Sequence, residues 1–361
     1  MTRKLWFQAG IGILLALLIA KYFMEIKGIF SPLLIIAKTI FIPLLLGAVL
    51  FYITEPLQRL LEKYKVPRWG SILAILISVG ALIWIFISII GPPVINQVNN
   101  LVKNAPYIAE EIASKTEYAL QHRKDFPEQL NDAIDNAIDS VQAIVVVFGK
   151  LVVQFFQSVI QTAFTLILVP FFFIFLLKDH EKFGPFIYKF FTGERKVWVK
   201  KTLQDIDRVL RTYIQGQLLI SFILAVIMYI GYLIIDLEYA LLLVIFAFFM
   251  NIIPFIGPWI AFIPALIVGF IQGPPSMVIW VSLVTLAAQQ TDSNLITPNV
   301  MGKTLDIHPL TVITIILAAG NIAGFLGILL AIPTYAVGKV IVSNLYERRK
   351  EIKLAATKDI L

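Results

Sequence analysis

The chain has 361 residues, 59% of them hydrophobic and 15% charged, with 30 Lys and Arg against 23 Asp and Glu; its mean hydropathy is +0.85. That balance excludes an ordinary soluble domain and predicts an all-α, polytopic integral membrane protein. With no cysteine, disulfides, thiolate metal sites and cysteine nucleophiles are ruled out. The net charge of +7 falls beside apolar spans without interleaved aromatics, which fits positive-inside topology rather than nucleic-acid binding.

A membrane crossing needs about 20 mostly apolar residues. The basic Thr2-Arg3-Lys4 runs into the apolar Leu5 to Phe23 with no small-residue cleavage site, so it reads as an uncleaved first span rather than a signal peptide. Ile29 to Ile53 and Trp69 to Ile90 complete an N-terminal unit, 1–91. Between those two spans lies a loop, Glu55 to Arg68, carrying Arg59, Lys63, Lys65 and Arg68.

Residues 92–147 form an expected extracytoplasmic insert of amphipathic helices. Val94, Val98, Leu101, Ala105, Ile108 and Ile112 recur at helical spacing, and a second stripe runs through Leu130, Ala133, Ile134, Ala137, Ile138 and Val141. Asp132, Asp135 and Asp139 line another face of that second helix; without an EF-hand pattern they read as a solvated face, not a calcium site.

A fourth span occupies 148–178, and a basic cytoplasmic segment follows over 179–209. The C-terminal core, 210–345, holds Leu210 to Ile235, Tyr239 to Ile271, Ser276 to Ile296 and Leu310 to Leu345, and a basic tail closes the chain over 346–361. About eight membrane-embedded elements result. The basic N-terminus, loop, segment and tail all assign both ends to the cytoplasm.

Two of these elements exceed what a ~30 Å hydrocarbon core requires, and both are interrupted. The first contains Pro254, Gly257, Pro258 and Pro264; the second contains Gly320, Gly324 and Gly327. Each is either a kinked crossing or a hairpin that enters and leaves on one face. Broken backbone at membrane depth is tolerated where protein or water re-satisfies it, so interrupted spans point to a transport path. A kinked packing helix is the plainer alternative.

Polar residues gather near the breaks. Gln289, Gln290, Asp292 and Asn294 end the seventh span, and Asn251 and Asn321 flank the two interruptions. A carboxylate at membrane depth costs at least about 2.5 kcal/mol, so Asp292 should face a cavity, where it could bind a cation, exchange a proton or accept hydrogen bonds from a polar solute; at the interface it would be a loop residue. The two asparagines either cap freed backbone groups or contact a ligand. Tyr213, Gln215, Gly216 and Gln217 head the fifth span as an interfacial anchor or a polar entrance, and Asp306 with His308 could form a pH-sensitive pair. No catalytic constellation, metal-ligand spacing or nucleotide-binding loop is present, so no enzyme, cofactor or metal is expected.

Several runs together resemble the autoinducer-2 exporter (AI-2E) family of permeases. They are Tyr213-x-x-Gly216-Gln217-Leu218, then Asn251 to Gly269, then Gln290-x-Asp292-x-Asn294-x-x-x-Pro298-x-x-x-Gly302-x-x-Leu305-x-x-His308-Pro309, then Gly324-x-x-Gly327-x-x-x-Ala331-x-Pro333. The resemblance covers essentially the whole chain. It implies a bacterial cytoplasmic-membrane protein of about eight spans that exports autoinducer-2 or exchanges sodium for protons, and a homo-oligomer such as a pentamer. The acidic position, commonly Glu in the family, is Asp292 here, which keeps the charge and shortens its reach. The leading expectation is a secondary transporter exporting a small polar solute of the autoinducer-2 type with ion coupling. The alternatives are a sodium (or potassium)/proton antiporter and a non-transporting membrane scaffold whose insert binds partners.

Overall fold

The computed structural model describes residues 5–26, 28, 31–121, 168–302 and 307–358. The second amphipathic stripe of the insert, the Asp132, Asp135 and Asp139 face, most of the fourth span, and Asp306 lie outside these residues. Every regular element among the described residues is helical: α1 Leu5–Ile26, α2 Ser31–Lys63, α3 Arg68–Gln121, α4 Leu168–Tyr188, α5 Gly193–Ile234, α6 Ala240–Asn251, α7 Gly257–Gln272, α8 Pro275–Thr291, a π-helical turn Asp292–Ile296, α9 Thr297–Met301 and α10 Pro309–Lys358. Without water, only helices can satisfy their own backbone groups across a bilayer. Among the described residues four stretches, Ile35–Lys63, Arg68–Asn100, Gly193–Ile234 and Pro309–Lys350, are by length and composition long and apolar enough to cross one.

The buried side chains form two clusters. Phe51, Ile72, Ile75, Phe173 and Leu177 join α2, α3 and α4. A larger cluster, centred on Leu224, Met228 and Tyr232 of α5, takes in α6 to α10. The segment expected as a loop from Glu55 is mostly helix, since α2 continues to Lys63. Likewise α3 runs unbroken through Pro92 and Pro93 into the first part of the insert.

The interrupted element after α5 is a hairpin. α6 and α7 are 12 and 16 residues long, about 18 and 24 Å at ~1.5 Å per residue, each short of a ~30 Å core. Gly257 and Pro258 open α7, a position where the missing proline N–H costs nothing. At the tip, Phe255 takes a left-handed φ of 65°, and Gly257 lies so close to the Met250 carbonyl that a β-carbon there would overlap it. At the open end Gln272 holds both strands of the connection, its Nε2 donating to the Asp236 carbonyl at 2.7 Å and its Oε1 accepting from the Glu238 N–H at 2.6 Å. The hairpin is therefore rooted at the C-terminal end of α5, and its tip reaches Gln217 in the middle of that helix.

α10 is a second hairpin followed by a long exit helix. The chain reverses at Ala323 (φ −132°, ψ 17°) and Gly324 (φ 58°, ψ −140°). Gly327 then packs against the Ala319 carbonyl, again leaving no room for a β-carbon. From the reversal the helix runs antiparallel to α5: Asn344 Nδ2 donates to Thr202 Oγ1 at 3.2 Å, Trp198 Nε1 donates to the Asn344 carbonyl at 3.1 Å, and Lys201 pairs with Glu347 at 3.1 Å. Its tip consequently points toward the C-terminal end of α5, opposite to the tip of the first hairpin. Both broken elements are hairpins, and their orientations are inverted.

A polar cluster fastens α2 to α5. Glu55, 1% exposed, receives Arg59 Nη2 and Arg211 Nη1, each at 2.6 Å. Arg211 Nη2 also pairs with Asp207 at 2.7 Å, Tyr52 Oη donates to Asp207 Oδ1 at 3.1 Å, and Gln215 Nε2 donates to the Tyr52 carbonyl at 2.5 Å. Removing one partner of a buried ion pair strands the other charge, at a cost of about 3–5 kcal/mol. Arg211→Leu should therefore reduce the folded fraction sharply in detergent thermal-unfolding measurements, whereas Arg59→Leu, which removes a partner 63% exposed, should cost much less.

Arg68 ties α3 to the end of α4, with Nη1 on Glu181 at 2.6 Å and Nη2 donating to the Leu177 carbonyl at 3.2 Å. The hydrogen bond from Arg68 holds the Glu181 carboxyl below its ordinary value. A depressed acid stabilises the fold above its unfolded pKa and loses that contribution as pH falls through the folded one. The small stability difference between the parent and Glu181→Gln should thus be present at neutral pH and vanish on acidification below the ordinary glutamate range, which melting curves across pH would read.

Candidate functional site

Between the two hairpins lies a cavity of about 340 Å³. Its walls come from α5 (Tyr213, Gln217, Ile220, Leu224), the tip of the first hairpin (Asn251, Pro254, Phe255, Pro258), the end of α8 and the π turn (Gln289, Asp292, Ser293), α9 (Thr297, Met301) and α10 (Val312, Ile332). It begins level with the middle of α5, at Tyr213 and Gln217, and extends along the second half of that helix to Leu224. Asp292 is the one charged side chain among the lining residues.

The π-helical turn explains how Asp292 reaches the wall. Adding one residue to a helical turn rotates the residues after it, and such bulges recur at functional sites. Here the turn places Asp292 Oδ1 against Thr297 Oγ1, which donates to it at 2.7 Å. The second carboxylate oxygen remains available to a ligand.

Polar groups around the carboxylate are left without partners. Tyr213 Oη, both amide atoms of Asn251, and Gln289 Nε2 are buried and have no hydrogen-bonding partner among the described residues. An unmade buried hydrogen bond costs about 1–3 kcal/mol, and all four atoms belong to residues that line one cavity. Together they offer donors and acceptors. Among the described residues no lysine or arginine lines the wall, so none of them would compensate a phosphate or carboxylate. Among the described residues no cluster of His, Asp and Glu could hold a metal ion.

The structure brings together only part of the residue set singled out from sequence. Asp292, Gln289 and Asn251 share the cavity wall. Gln290 and Asn294 bond to each other at 3.1 Å on an exposed face of α8 and the π turn. Asn321 is exposed at the tip of the second hairpin, its Nδ2 donating to the Leu317 carbonyl at 2.9 Å. Among the breaks, Pro254 and Pro258 line the cavity, Pro264 is buried within α7, and Gly320 packs near Ile328. His308 caps α10, its Nδ1 accepting the Leu310 N–H at 3.2 Å. Thr297 carried no signal in the sequence beyond its proximity to Asp292.

Membrane-length helices around a cavity that carries a carboxylate, set between two inverted hairpins, define a multi-pass membrane transport protein. The chain belongs to the AI-2E family of transporters, whose family model matches residues 11–347. It is 35% identical to "Putative transport protein YueF" of Bacillus subtilis (strain 168) over 92% of this chain and 91% of that protein. It is 30% identical to "Putative transport protein YrrI" of the same organism over 94% and 96%, and 26% identical to "Putative permease PerM" of Escherichia coli (strain K12) over 83% and 86%.

Proposed function

We propose that the protein is a secondary transporter that exports a small polar, uncharged solute of the autoinducer-2 type through the cavity between the hairpins, with ion coupling at Asp292. The observation that carries this reading is one cavity wall that holds the Asp292 carboxylate together with Tyr213, Asn251 and Gln289, each with a buried polar atom lacking a partner among the described residues. Its donors and acceptors suit hydroxyl groups, and no cation lines it among the described residues, which disfavours anions.

Sidedness follows from charge. Arg195, Lys196, Lys200, Lys201, Arg348 and Arg349 belong to the N-terminal end of α5 and the adjoining end of α10, and an excess of basic residues marks the cytoplasmic face. On this reading both termini are cytoplasmic, the second hairpin enters from the cytoplasm and the first from outside. Alternating access then consists of freeing one hairpin tip at a time.

A sodium (or potassium)/proton antiporter is the second reading, favoured by Asp292 being the one charged group on the wall among the described residues. Both are tested with purified protein in liposomes. Efflux of loaded autoinducer-2 is followed beside internal pH while sodium or potassium gradients are imposed. Solute efflux above protein-free liposomes supports export; cation-dependent proton movement without it supports antiport; neither flux removes both.

A further inference from the structure

Two buried amides meet where the first hairpin touches α5. Gln217 is 7% exposed and Asn251, the last residue of α6, is 3% exposed. Gln217 Nε2 donates to the Asn251 main-chain carbonyl at 2.7 Å, linking positions 34 residues apart. That carbonyl belongs to the final turn of a helix, where intrahelical partners run out. With no water in hydrocarbon to replace the bond, a side chain from another element must supply the donor. Asn251 meanwhile belongs to the cavity wall, and its own side-chain amide is buried without a partner among the described residues.

We propose that Gln217 is a positioning residue for transport: by holding the Asn251 carbonyl it pins the first hairpin's tip on α5, aims the Asn251 amide at the solute, and closes the cavity toward the face from which that hairpin enters. The inference rests on the transport reading above. The tip is suited to move as one body, because Gly257 is packed directly on the Met250 carbonyl and the Gly257 N–H donates to the Ile253 carbonyl at 3.0 Å. Separation from α5 therefore breaks the contact with Gln217 before it deforms the turn. The freed carbonyl and amide then join the cavity wall, where entering water or solute satisfies them.

The test needs no solute, since the chain lacks cysteine and a single reporter thiol can be introduced. Ser293 lines the cavity and is exposed, so Ser293→Cys is labelled with a membrane-impermeant methanethiosulfonate applied to either face of sealed vesicles. Adding Gln217→Leu should speed labelling about tenfold from the face at the C-terminal end of α5, the loss expected for one buried hydrogen bond, and leave the opposite face unchanged. Gln217→Asn, one methylene too short to reach the carbonyl, should do the same. Gln215→Leu, whose amide instead bonds the Tyr52 carbonyl, should leave labelling from that face as in the parent.

Unchanged labelling in both Gln217 variants, or equal acceleration from both faces, would overturn the proposal. Transport failure in a parent protein that shows the expected labelling would overturn the transport reading alone. Labelling unaltered by both Gln217 substitutions, when the parent transports, would overturn the latch alone.

Discussion

Asp292→Asn should reduce cation-dependent proton movement in proteoliposomes to the level of protein-free vesicles while leaving yield and melting behaviour close to the parent. Asparagine has nearly the same shape, and its Oδ1 can still accept the Thr297 hydroxyl that Asp292 accepts at 2.7 Å, so the π turn keeps its bond. The substitution removes the charge, and Asp292 supplies the one charge among the described residues of the cavity wall. A neutral amide neither balances a bound cation nor carries an exchanged proton. Autoinducer-2 efflux measured on the same vesicles then separates the two readings. Efflux that persists down its gradient in the variant makes Asp292 the coupling group of an exporter. Proton movement unaltered by the substitution would remove Asp292 from the mechanism altogether.

Much of this arrangement is legible in the residues alone. The prolines and glycines of Phe248 to Gly269 and of Gly320 to Gly327 mark where a helix in hydrocarbon must stop, and both places prove to be reversals. Composition leaves open whether each is a kink or a hairpin, because the two differ only in φ and ψ at a few residues. The left-handed Phe255 and Gly324, with the contacts at Gly257 and Gly327, settle it.

The cavity is harder to read. Tyr213 and Gln217 sit at the polar head of an apolar run, where an interfacial anchor and a cavity wall look alike in one dimension. Their depth depends on α5 continuing as a single helix from Gly193, so that its charged first half projects beyond the apolar stretch. Asn321 and Asn251 flank equivalent breaks, yet only the tip carrying Asn251 turns inward to α5. Glu55 is the reverse case. It stands among charged residues that read as loop, but α2 carries it into the contact with Arg211. Long-range pairing of that kind leaves no periodic trace.

The largest structural effect should come from Gly257→Val. Glycine is required there by proximity rather than by φ: a β-carbon would coincide with the Met250 carbonyl, with the Asn251 Cα at 3.1 Å behind it. Backbone cannot step aside as a side-chain terminus can, so the tip must open, and overpacking of this severity costs at least about 3 kcal/mol. Opening would also pull Asn251 from Gln217. The variant should therefore lose most of its monodisperse peak in detergent chromatography, with the remainder melting well below the parent. Gly338 makes the comparison specific, since nothing lies within 4 Å of a β-carbon built there and it stands inside the exit helix of α10. Gly338→Ala should be neutral or stabilise by up to about 1 kcal/mol through helix propensity. If Gly257→Val were tolerated as well as Gly338→Ala, the first hairpin could not be closed as described, and the cavity would lose the wall that makes it a binding site.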